Sequence, residues 1–101
     1  MKFGLLERDL SYIKKGIEKF PEIEEVILFG SRAMGNFKKA SDIDLAIKGK
    51  KVTREIIIRL SGLLNEEYPI PFFFDVIHYE KINNIKLKEH IDNYGINIFK
   101  K

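Results

Sequence analysis

The chain leaves only about ten residues between its first two strand-like runs, Glu24 to Phe29 and about Asp42 to Lys48, and that is too short for a helical crossover. The two runs are therefore expected to pair antiparallel. The first, Glu-Glu-Val-Ile-Leu-Phe, is rich in β-formers and closed by Gly30, as a buried strand would be. A third run, Phe72 to His78, is apolar on both faces except for one aspartate.

Helical periodicity fills the rest. Leu6, Leu10, Ile13, Ile17 and Phe20 form one apolar stripe over a helix from Glu7 to Phe20, which Pro21 stops. Thr53 caps a second helix with Ile56, Ile57, Leu60, Leu63 and Leu64 on one face, ended by Pro69 and Pro71. A less regular helix runs from about Lys81 to Tyr94 with Gly95 as its C-cap, and Ile96 to Phe99 adds a short edge strand. The order is helix, strand, turn, strand, helix, strand, helix. We expect one α/β (α+β) domain over residues 1–101, with a small three- to four-stranded sheet flanked by helices. Spacing alone does not say how the third strand is oriented.

Composition excludes several classes. Without cysteine there is no disulfide framework and no thiolate metal site, so a reducing cytoplasm is the expected compartment and any metal must bind oxygen or histidine. No apolar run approaches the ~18 residues of a membrane span, and the N-terminus lacks a signal-peptide h-region, so neither a membrane nor export is expected. A net charge of +3 favours anionic ligands weakly, without the basic stripe of a nucleic-acid binder.

The chemistry concentrates in two places. In Ser41-Asp42-Ile43-Asp44-Leu45-Ala46-Ile47 the side chains alternate, so Asp42 and Asp44 share one face about 7 Å apart. Like charges so placed repel unless a cation lies between them, and hard oxygen ligands suit Mg²⁺ or Mn²⁺. An isolated Asp-x-Asp is also common on solvent-facing strands. Asp75 adds weight, because an unpaired charge inside an apolar strand costs several kcal/mol. A metal shared with Asp42 and Asp44 would remove that cost; so would a salt bridge or an exposed strand end. The second place is Phe29-Gly30-Ser31, where glycine permits positive φ and free N–H groups with a serine hydroxyl make a nest for phosphate.

Taken together, Gly30-Ser31-Arg32-Ala33-Met34-Gly35 with Ser41-Asp42-Ile43-Asp44-Leu45 and a later aspartate resembles the signature of the polymerase-β-like nucleotidyltransferase superfamily, in particular its minimal, stand-alone MNT branch. The resemblance spans almost the whole chain. It implies a small mixed sheet, a Gly-Ser turn that holds the phosphates of ATP or another NTP, and two Mg²⁺ ions on Asp42, Asp44 and Asp75. Asp75 would bind the catalytic metal and help deprotonate the attacking hydroxyl. The resemblance also implies a helical HEPN protein as partner: MNT proteins act as antitoxins and can transfer AMP to a tyrosine of the HEPN ribonuclease.

Arg32, Lys38 and Lys39 lie around the expected phosphate site, where they either neutralise phosphate charge or form a solvated loop. His78 and His90 read as ordinary strand-end and helix-surface residues, and Phe72, Phe73 and Phe74 as core. Two other functions stay open: an antitoxin that masks its partner by contact alone, and the catalytic subunit of an aminoglycoside-type nucleotidyltransferase. Base preference, acceptor and oligomeric state are not written in the residues.

Overall fold

Strand β1, Glu25–Phe29, is buried almost throughout and forms the spine of a four-stranded sheet. In the computed structural model, which describes residues 1–101, its strands lie in the order Phe74–His78 (β3), Ile43–Lys48 (β2), β1 and Ile96–Lys100 (β4). As the short link requires, β1 and β2 are antiparallel, with Phe29 opposite Asp44 and Ile27 opposite Ala46. Strand β4 is antiparallel to β1 on the other side. Strand β3 runs parallel to β2, Asp44 beside Asp75, so the sheet is mixed.

Helix α1, Glu7–Glu18, precedes β1, and the single turn α2, Ser31–Met34, follows it. Helix α3, Arg54–Gly62, extended by a wider turn over Leu63–Glu67, is the crossover that a parallel pair needs. Helix α4, Ile85–Tyr94, leads into β4. It starts later than its apolar pattern suggests, because Asn84 caps it by accepting the Leu87 N–H at 3.1 Å and Tyr79–Lys81 form a separate short turn. Thr53 caps α3 through the Ile56 N–H, as expected.

Alternation along the strands makes two unequal faces. Val26, Leu28, Ile43, Leu45 and Ile47 point to the side covered by α1 and α3, where sixteen buried residues form the main core. On the other side, Ile27, Phe29 and Ala46 meet Ile91 of α4 in a buried cluster of four, against which Ile77, Tyr79, Ile82 and Leu87 pack half-buried. That face is thinly covered, and it is the face on which Asp44 and Asp75 stand.

The aromatic run divides. Strand β3 begins at Phe74, not Phe72, and Phe73 is 60% exposed, so only Phe74 is fully core. Asp75 is also exposed, because β3 is an edge strand and its site face is open at this end. The expected burial penalty on this aspartate is therefore absent. What holds the start of β3 is Asn65, whose side chain accepts the Phe74 N–H at 2.7 Å and donates to the Phe74 carbonyl at 3.0 Å. A side chain thus completes the edge that no neighbouring strand pairs. Replacing Asn65 with Ala leaves both groups of Phe74 without their partner, and we expect urea denaturation to show a loss of about 1–3 kcal/mol.

Candidate active site

The site is assembled where β1 ends and β2 and β3 begin. Gly30 has φ 76° and ψ −156°, a region open only to glycine, and a Cβ there would overlap Asp44 Oδ2. Glycine is thus required twice over. Beyond it, α2 is closed by the Met34 and Gly35 N–H groups, which donate to Gly30 and Ser31 carbonyls at 3.1 and 3.0 Å. Helix geometry leaves the Ser31 and Arg32 N–H groups without helical acceptors.

Asp44 is half-buried beside Phe29 and opposite Asp75, whereas Asp42, one residue before β2, and Asp75 are exposed. No lysine, arginine or histidine pairs with any of the three; the protein's ion pairs are His78–Glu80 and Lys100–Glu25. Burial, then the charges of Asp75 and Asp42, push the Asp44 carboxyl up to about 6, with His90, when it is protonated, and Arg32 pulling the other way. The carboxylates therefore lack a cation that the protein itself does not supply. They do not converge into a closed cage for a metal. Their mutual repulsion, together with the oxygen-only donor set, nevertheless fits Mg²⁺ or Mn²⁺, which are held by one or two carboxylates plus water and substrate phosphate.

Arg32 is placed differently from the expectation. It is only 2% exposed and spends its donors on backbone: Nε and Nη2 donate to the Ser41 carbonyl at 3.1 and 2.7 Å, and Nη1 to the Phe3 carbonyl at 2.8 Å. Phe72 and Phe37 rings lie 4.5 and 5.0 Å from its guanidinium carbon. Burial lowers its pKa, while Asp42 and Asp44 act to raise it. Instead of facing phosphate, Arg32 ties the residue preceding Asp42 to the N-terminal turn at Phe3 and Gly4, both of which have positive φ. Lys38 and Lys39 are exposed, and the Lys38 N–H donates to Ser41 Oγ at 2.8 Å.

His90 also departs from the expectation of a plain helix-surface residue. Its Nε2 accepts the Gly30 N–H at 3.1 Å, and its ring lies edge-on to Phe29. Sixty residues separate the partners, so no local pattern announces the contact. The clefts of about 520 and 380 Å³ around His78 and Lys81 lie at the opposite end of β2 and β3, so volume does not mark the chemistry. The carboxylates instead form an open shelf.

A glycine-serine turn packed on a carboxylate, with two further carboxylates and no ion-pair partner for any of them, is an arrangement that can take a divalent cation together with phosphate. Comparison with known proteins gives the family. The family model described as polymerase beta, nucleotidyltransferase, matches residues 11–101, and the chain belongs to that family. It is 28% identical over 96 residues to a proposed protein adenylyltransferase of Methanocaldococcus jannaschii, covering 91% of this chain and 90% of that protein. Among solved structures, the fold matches a chain of a toxin–antitoxin complex with AMP-PNP (TM-score 0.73, 18% identity, 96% of this chain and 75% of the other). It also matches a chain of a complex of tri-AMPylated Shewanella oneidensis HEPN toxin with MNT antitoxin (TM-score 0.70, 16% identity, 94% and 72%).

The raised Asp44 pKa has a testable sign. Because the folded state holds the Asp44 proton more tightly than the unfolded chain, whose carboxyl has the ordinary value of 3.8, this stabilising contribution is complete below that value and is lost as pH rises through about 6. Calorimetry on metal-free protein should find Asp44→Asn more heat-stable than wild type at pH 8, with the difference shrinking towards pH 4. Mg²⁺ should raise the wild-type midpoint at pH 8 and narrow the gap. A mutant-minus-wild-type difference independent of pH would contradict this account. For Arg32→Lys, which cannot reproduce the fork on Ser41, we expect a loss of about 1–3 kcal/mol in denaturant unfolding.

Proposed function

We propose that this chain is a Mg²⁺-dependent nucleotidyltransferase that moves AMP from ATP to a hydroxyl of a protein, with a HEPN-type helical protein as partner and acceptor. The observation that carries the reading is Asp44 packed on Gly30, with Asp75 beside it in register and Asp42 two residues before it, none of the three ion-paired by the protein. A protein acceptor is favoured by exposed apolar side chains on the segments that carry the site: Phe73 two residues before Asp75, Met34 at the end of α2, and Tyr94 against His90. The names of the M. jannaschii relative and of the toxin–antitoxin complexes support the same acceptor class. The absence of a helix able to cross a membrane is compatible with the cytoplasmic setting we propose.

The roles follow from position. Ser31, through its hydroxyl and N–H, holds phosphate oxygens of the bound nucleotide. Asp42, Asp44 and Asp75 would hold the divalent metal that arrives with it, Asp75, across the parallel register, lying on the acceptor side. Divalent ions bound there would neutralise phosphate charge and polarise the attacking and leaving oxygens of an in-line displacement. Asp75 helps take the proton from the acceptor hydroxyl; that oxygen bonds to the α-phosphorus while its bond to pyrophosphate breaks. Arg32 serves by positioning Ser41, without touching substrate.

The test is incubation with Mg²⁺, ATP labelled at the α-phosphate and a purified HEPN-type partner, with the acceptor then mapped by mass spectrometry. Wild type should add AMP to a partner tyrosine, and Asp42→Ala/Asp44→Ala should not. Asp75→Asn should slow transfer by about 10²–10⁴ while nucleotide affinity changes far less. A partner neutralised equally well by wild type and the double variant, with no AMP on either protein, would replace this reading with neutralisation by contact.

A further inference from the structure

We infer that His90 is a positioning residue of the phosphate turn: by accepting the Gly30 N–H, it locks the glycine conformation that keeps Ser31 directed at the nucleotide. This deepens the nucleotidyltransferase reading and rests on it. Gly30 is the joint on which the site depends, and it is also the residue with the least conformational preference of its own. Its φ of 76° and ψ of −156° lie where only glycine settles, so a constraint from elsewhere must select that state. The Met34 N–H on its carbonyl, at 3.1 Å, holds one side of the residue. His90 holds the other, at 3.1 Å, from a different helix.

Helix α4 is suited to the task. Ile91, the next residue, is 1% exposed and packs into the small core with Ile27, Phe29 and Ala46, which anchors the helix against the site face. The imidazole is then fixed on two sides, edge-on to Phe29 with ring centroids 6.3 Å apart and tilted against Tyr94 at 5.6 Å. As an acceptor at Nε2 it is the neutral tautomer with its proton on Nδ1, an assignment that follows from the hydrogen bond. With the Gly30 N–H engaged by His90, the Ser31 N–H and hydroxyl remain for phosphate. His90 acts through Gly30 and needs no contact with substrate.

The test compares wild type, His90→Ala and His90→Gln, whose amide oxygen offers an acceptor in place of Nε2. Three readouts are taken: hydrogen exchange of the Gly30 amide by NMR, affinity for Mg²⁺·AMP-PNP by calorimetry, and the melting temperature. His90→Ala should speed Gly30 exchange and weaken nucleotide binding roughly five- to tenfold, the size of one hydrogen bond, beyond any change in melting temperature. His90→Gln should recover part of both. Unchanged Gly30 exchange and affinity in His90→Ala, or a Gln variant no better than Ala, would overturn the role of His90 while leaving the transferase reading intact. Wild-type protein that binds no Mg²⁺·AMP-PNP would instead overturn the transferase reading, and the nucleotide-positioning role with it.

Discussion

The in-register row of Phe29, Asp44 and Asp75 across three strands is the constraint on which the rest of the site depends. It brings the end of β1, and with it Gly30, against the Asp44 carboxylate, and it lays a second carboxylate beside the first. Burial first, and then the charges of Asp75 and Asp42, raise the Asp44 carboxyl, so such a row is electrostatically unfavourable in the protein alone. A bound cation reverses the sign of that interaction, because charges that repel each other all attract it.

Each carboxylate-bearing segment is preceded by backbone that a distant side chain holds. Arg32 grips the carbonyl of Ser41, next to Asp42, and Asn65 grips both backbone groups of Phe74, next to Asp75. These are polar side chains placed where a hydrophobic contact could not serve: a carbonyl in a loop and an unpaired strand edge both need specific donors or acceptors. Rigid placement of the carboxylates in so small a chain comes from these local ties as much as from the core.

The unequal faces of the sheet divide stability from function. The side under α1 and α3 carries most of the buried apolar surface, which supplies the main driving force for folding. The side under α4 buries little and leaves one end uncovered, so the shelf of carboxylates stays open. Phe73, two residues before Asp75, and Met34 and Tyr94 are large apolar groups left exposed.

Much was legible in the residues themselves. The short link from Phe29 to Asp42 dictated the antiparallel pair, periodicity marked the helices, and alternation put Asp42 and Asp44 on one face, since all of these are local consequences of backbone geometry. The Gly-Ser turn with three aspartates was readable for the same reason. Tertiary structure decided the rest. The exposure of Asp75 depended on β3 lying at the sheet edge, and the expected burial penalty vanished with it. Arg32 turned inward because the loop at Ser41 and the turn at Phe3 both presented carbonyls to it, while His90 met Gly30 across sixty residues. Sequence periodicity reports which face of an element is apolar, but it carries no information about which distant polar group will complete a hydrogen bond, and that only packing can determine.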